Sequence, residues 1–356
     1  MPPAVPASSR PAAADHNNNF NLLRLGAATA VLVSHSYALT TGVEPHVGVD
    51  SLGHVAVLVF FAISGFLVTQ SWARQPSLGA FIVKRALRIM PALIAVVAIT
   101  ALVMGPLVTT LPLDAYFSAH GTFGYIVKNV FMRPEYELPG VFASNPFPLA
   151  VNGSLWTLEH EVRAYIAVAV IGVLGLWRDR RVATVVLVAL LLADATSHSA
   201  EGIIGDDKLM RGFVVGALLL IWRDRIKWSW TIATTLLAVW VLLGITAHGT
   251  AQEWMAAASM GYAAIVFAYR TPPSWDRLLR RQDLSDGVYL CAFPIQQLIA
   301  NQWHSISAPA MIAIALPLTL IMAFLSWRLV EKPALRFKRF AARRALVPVP
   351  APAPSS

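Results

Sequence analysis

LGHVAVLVFFAISGFLVTQSW, residues Leu52 to Trp72, runs for 21 positions without a charged side chain. At about 1.5 Å of rise per residue such a helix is about 30 Å long, the thickness of the hydrocarbon core of a bilayer. Working outward, nine further apolar stretches of similar kind follow or precede it: Phe20 to Leu39, Met90 to Leu111, Leu155 to Trp177, Val182 to Ala195, Leu209 to Trp222, Trp228 to Ala247, Trp254 to Tyr269, Gly287 to Trp303 and Ala308 to Val330. Over the whole chain 56% of residues are hydrophobic and 13% charged, with mean hydropathy +0.60. A soluble domain carries about a quarter charged residues because its surface faces water. The reading is an all-α, polytopic transmembrane helical bundle of about ten spans.

The net charge of +9 suggests nucleic acid at first sight, but the basic residues lie in short segments between apolar ones. With the N-terminus placed in the cytoplasm, 22 of the 28 Lys and Arg fall on the inner side. Lys128, Arg133, Lys208 and Arg211 fall outside, and Arg24 and Arg163 within spans. That asymmetry orients a multi-pass membrane protein with both termini cytoplasmic and leaves no nucleic-acid partner to propose. Residues 1–18, rich in Pro, Ala and Asn, lack the apolar core of a signal peptide and read as a disordered cytoplasmic N-terminus. Residues 19–335 form the membrane domain, and 336–356 a basic, then Pro/Ala-rich, cytoplasmic tail. The single cysteine, Cys291, excludes an internal disulfide and a thiolate zinc cluster, and no metal is expected. The longest loop, Pro112 to Asn152, falls outside, with Phe123 to Met132 as a short interfacial helix.

Ionisable side chains inside a span are costly and so are functional candidates. Arg24 and His35, 11 residues apart, share one face of the first helix about 16 Å from each other. The fourth span opens Asn152-Gly-Ser-Leu-Trp-Thr-Leu-Glu-His-Glu-Val-Arg-Ala-Tyr165, with Ser154, Leu158, Glu161 and Tyr165 on one face. Glu159 and Arg163 form an i,i+4 ion pair on another. Glu161 lacks such a partner and needs one from another helix, of the kind Arg24, His35 or Arg88 provides. A carboxylate beside a histidine orients the ring and stabilises imidazolium, which suits a general base. In Lys84-Arg-Ala-Leu-Arg-Ile-Met-Pro91, Arg85 and Arg88 share a face at the inner mouth of the third span, where they either clamp phosphates or anchor topology. Phe60-Phe-Ala-Ile-Ser-Gly65 is a small-residue break of the sort that packs helices closely.

Together these segments resemble acyltransferase family 3, membrane-bound O-acyltransferases acting on surface polysaccharides, glycolipids or antibiotics. The resemblance runs from about Asn19 to Pro333. It rests on Asn19-Phe-Asn-Leu-Leu-Arg24 with His35, Phe61-Ala-Ile-Ser-Gly-Phe66, the Lys84 to Pro91 segment, Asn152-Gly-Ser-Leu-Trp-Thr-Leu158 with Glu161 and Tyr165, Tyr289 with Phe293-Pro294, and Leu329-Val-Glu-Lys-Pro333. It implies His35, Arg24 and Glu161 as catalytic residues, Arg85 and Arg88 as the acyl-CoA site, and Asn152, Ser154, Trp156, Tyr165 and Tyr289 as substrate-binding. The implied donor is acyl-CoA, with acetyl-CoA first in line, and the implied acceptor a carbohydrate or glycolipid hydroxyl, in a bacterial inner (cytoplasmic) membrane. The chain departs from the pattern at Ala292, where many members have histidine. The alternative is a transporter or exporter of a glycolipid or small acid, with Arg24, His35 and Glu161 as intramembrane polar sites.

Overall fold

The computed structural model describes residues 18–196, 207–246, 249–272 and 282–336. The expected N-terminal segment up to residue 17, the tail beyond 336, and the basic loop holding Arg277, Arg280 and Arg281 lie outside the described residues. Among the described residues the regular structure is helical, apart from a two-residue hairpin, β1 (His46–Val47) on β2 (Asp50–Ser51), that links the first two long helices. Those are α1 (Phe20–Thr41) and α2 (Leu52–Arg74). α3 (Leu78–Ile99) continues through a π-helical turn, Thr100–Met104, into α4 (Gly105–Val108). Next come α5 (Leu113–Ser118), α6 (His120–Val130) and α7 (Trp156–Val173). After them stand α8 (Arg180–Thr196), α9 (Asp207–Ile221), α10 (Trp230–Thr246), α11 (Thr250–Arg270), α12 (Ser285–Gln302) and α13 (Ala308–Ser326). Each of the ten apolar stretches overlaps one of these helices, that from Met90 to Leu111 running from α3 through the π-turn into α4. Four helical stretches are long and apolar enough to cross a membrane: Phe20–Thr41, Leu52–Arg74, Leu78–Val108 and Ala308–Arg336. This is a helical membrane protein.

α2 and α9 form the tightest seam, and two glycines make it possible. A Cβ on Gly65 would fall 1.9 Å from the Phe213 carbonyl oxygen, and one on Gly216 1.9 Å from that of Ala62. The small-residue break in the second span is therefore a backbone-to-backbone contact. α1 is held at its base by Asn19, whose side-chain amide donates to the Thr271 and Pro272 carbonyls at 3.2 and 3.1 Å. The π-turn after α3 leaves the Ala101 carbonyl to accept from Tyr116 Oη at 2.7 Å, and Gly105 leaves room for that phenol.

The expected interfacial helix is present as α6, but it packs along α3 instead of standing apart from the bundle. The segment after it returns to α12: Asn145 Nδ2 donates to Gln297 Oε1 at 2.7 Å, and Gln297 Nε2 to the Phe147 and Ala150 carbonyls at 2.9 and 2.6 Å. The long loop is thus pinned to the bundle down to the start of α7.

Candidate functional site

Two clusters emerge where the sequence suggested one. The first forms around a proline. Pro294 has no N–H, so in α12 the carbonyl of Leu290, four residues earlier, loses its helical donor. Asn152 Nδ2 fills that vacancy at 2.9 Å, while Asn152 Oδ1 accepts from Ser154 N–H at 3.1 Å and opens the turn into α7. Asn152 is thereby a structural bridge. Its neighbour Gly153 lies flat on Phe293, where a Cβ would come within 2.7 Å of the ring. His35 meets the same ring edge-on, centroids 5.1 Å apart. His35 Nδ1 and Ser154 Oγ are buried there with no hydrogen-bond partner. Gln296, one turn further on, donates to the Leu32 carbonyl at 2.7 Å and to Ser36 Oγ at 2.6 Å, fixing α1 against α12 on either side of His35.

The second cluster lines a cavity of about 100 Å³ nearer the opposite end of α1. A single water needs roughly 10–15 Å³ of such space, so this one holds several. Its polar walls are Arg24, Ser64, Arg85, Arg88, Thr157, Glu161, Tyr165, Asp286 and Tyr289. Arg24 meets Asp283 at 2.8 Å and Asp286 at 2.7 Å; Arg88 meets the same two at 2.7 and 2.9 Å. Two guanidiniums and two carboxylates thus neutralise one another. Burial alone would raise the Asp283 carboxyl, but Arg24 and Arg88 hold it well below the usual carboxylate range. Arg85 differs from its neighbour. Among the described residues it has no carboxylate partner; its guanidinium lies 5.5 Å from the centre of the Tyr165 ring and 5.9 Å from that of Phe81, and its Nε is buried without an acceptor.

The geometry corrects several sequence expectations. Glu161 is not held by Arg24, His35 or Arg88: it accepts from Tyr165 Oη one turn on in its own helix and from Ser64 Oγ at 3.4 Å. His35 does not line the cavity that holds Arg24 and Glu161. Ser34, next to His35 in the chain, donates from its Oγ to Glu44 at 2.9 Å. Trp156 stands outside the cavity and packs edge-on against His160. Tyr289 does line it, sharing a 2.8 Å hydrogen bond with Thr157. Glu159 and Arg163 pair as their spacing implies. Asp283, Asp286, Ser64 and Glu44 went unread; the signal available for the aspartates was two carboxylates three residues apart at the foot of the ninth span, opposite in charge to Arg24.

Residues 17–328 match the family described as an acyltransferase domain. The chain is 32% identical over 328 residues to the O-acetyl transferase of Shigella phage Sf6, across 89% of this chain and 95% of that protein. It is 33% identical over 370 residues to nodulation protein 10 of Rhizobium leguminosarum bv. viciae, across 93% and 96%. No solved structure matches it.

Proposed function

This chain belongs to acyltransferase family 3, and on that footing we propose that it moves an acyl group, acetyl first in line, from cytoplasmic acyl-CoA to a hydroxyl of a glycan or glycolipid. The observation that carries the reading is the pair of unsatisfied groups at two levels of the bundle. Among the described residues Arg85 is a cation without a carboxylate, and His35 a ring with a buried, unpartnered nitrogen. Arg24, beside the first cavity, and His35 stand about 16 Å apart along α1. A donor with phosphates at one end and a thioester at the other bridges such a separation. Arg85 takes a phosphate; Arg24 and Arg88, locked to and neutralised by Asp283 and Asp286, shape the mouth. The acceptor comes from the opposite face.

His35 takes the proton of the acceptor hydroxyl as its oxygen attacks the thioester carbonyl, and Glu44 stabilises the imidazolium that forms. The tetrahedral intermediate collapses, the C–S bond breaks, and the imidazolium returns its proton to the departing thiolate. The ester and free CoA are the products. Ser154 Oγ, buried without a hydrogen-bond partner among the described residues and next in the chain to Gly153 on Phe293, is assigned to the oxyanion or the acceptor. The ten apolar stretches are assigned as ten spans of a bacterial inner membrane, both termini cytoplasmic.

The test is the purified protein in detergent with acetyl-CoA and an unacetylated polysaccharide. Free thiol released in step with ester formed on the glycan supports transfer. No thiol release, together with uptake of glycolipid or small acid by reconstituted vesicles, supports the transporter instead.

A further inference from the structure

Behind the cavity lies a second, larger space. A groove of about 720 Å³ runs between α3 and α7, within the range of about 300–1,000 Å³ of ligand sites, and its walls are almost wholly apolar. Its outer lips are exposed, with Ile82 at 54%, Ile166 at 57% and Val170 at 51%. In a membrane protein such a face opens sideways into lipid. Phe131 and Met132, at the end of α6, close one end. Arg85 and Tyr165 line both the groove and the polar cavity and so form the partition between them.

A groove walled by hydrocarbon but floored by an unpaired guanidinium is complementary to an amphiphile with an apolar chain and an anionic head. We propose that it binds an anionic diacyl lipid of the surrounding leaflet, one acyl chain lying between α3 and α7 and its phosphate on Arg85. The charge argument selects the head group: among the described residues Arg85 has no carboxylate, whereas Arg24 and Arg88, a short way off, each have two. A zwitterionic lipid brings its own cation to the same place and loses the advantage. The same guanidinium is assigned a donor phosphate in the proposed transfer, so the lipid holds Arg85 in the resting protein and yields it when acyl-CoA binds; the lipid is neither donor nor acceptor, and its detection requires no turnover.

The experiment is native mass spectrometry of the full chain after exchange into mixed micelles holding equal phosphatidylglycerol and phosphatidylcholine. The wild type is expected to keep one phosphatidylglycerol in preference to phosphatidylcholine. R85Q should erase a preference of about fivefold, the factor that one arginine near an anionic membrane surface contributes. V170W, which fills the groove without touching the charge, should lose the retained lipid of either kind; I82W on the facing wall does the same if V170W fails to insert. Equal retention of both lipids by wild type and variants overturns the proposal, since that is unspecific lipid coating. Displacement of the lipid one for one by long-chain acyl-CoA, but not by free CoA, also overturns it by making the groove the acyl channel of the donor.

Discussion

Arg85 and Arg88 look equivalent in sequence, and the structure makes them opposites. Arg88 Nη2 meets Asp283 at 2.7 Å and Asp286 at 2.9 Å, at 18% side-chain exposure. Lysine in its place carries enough donors on one nitrogen but is shorter, so its ammonium falls short of the point from which Nη2 meets both carboxylates. Losing one charge-assisted hydrogen bond costs about 1.5–3 kcal/mol, and the partial exposure sets R88K near the lower end. Arg85 orphans no carboxylate when removed. R85Q loses contacts over Tyr165 and Phe81 worth roughly 0.5–1 kcal/mol each, more where they are desolvated, but it also removes a buried Nε that lacks an acceptor, and glutamine is able to hydrogen-bond in part. In return it removes a phosphate partner worth about 1.5–3 kcal/mol of donor binding, roughly a tenfold or larger rise in the donor KM. The assay is a thermal unfolding series in detergent beside steady-state CoA release with donor and acceptor varied in turn. R88K should lower the unfolding temperature and change the donor KM little; R85Q should do the reverse, with the acceptor KM unchanged in both. Loss of stability in R85Q at unchanged donor KM refutes the reasoning, as does a larger rise in donor KM for R88K than for R85Q.

Further tests concern the charge cluster, the packing and the orientation. Because the folded-state pKa of Asp283 lies below its unfolded value of about 3.9, its ion pairs stabilise the fold fully above that pH and lose their contribution as pH falls through the folded value. Unfolding temperature should therefore drop on acidification below about pH 4 more steeply in wild type than in D283N, and parallel curves would remove Asp283 from the account. G65A drives a methyl to 1.9 Å from the Phe213 carbonyl oxygen and should cost about 1–3 kcal/mol. G26A meets nothing within 4 Å and should gain about 0.5–1 kcal/mol, so equal effects on detergent thermostability would deny the close α2–α9 approach. In a C291A background, V43C should react with an impermeant thiol reagent on intact cells and Q75C should not; labelling of Q75C would invert the orientation.

Hydrophobic segment length was enough to read the helices, because a span needs only a run of apolar side chains and each of the ten runs overlaps a helix. The site was legible residue by residue but not in its partnerships. Arg24, Arg88 and Glu161 stand out as charges amid apolar sequence, yet the sequence holds no record that Asp283 and Asp286, some 260 positions from Arg24, complete the arginines' shells. Glu161 illustrates the opposite failure: its partner, Tyr165, is one turn away in its own helix, a phenol overlooked because an arginine was sought. Asn152 carried a readable signal that went unused. A proline inside α12 leaves one carbonyl short of a donor, but only the fold says which side chain supplies it. The distance of about 16 Å between Arg24 and His35 followed from helix rise alone; that two levels of the bundle would each gather their own motif, leaving His35 outside the cavity, did not.

The central claim is that His35 is the base of an acyl transfer, and turnover by H35A tests it most directly. The purified variant, with acetyl-CoA labelled in the acetyl group and a polysaccharide acceptor, should bind the donor as wild type does, since Arg85 is untouched. It should form no acetyl ester, because the imidazole acts in the transition state and not in donor binding. Ester formation by H35A at a rate near that of wild type, with donor binding intact, would contradict the account and take the histidine out of the chemistry.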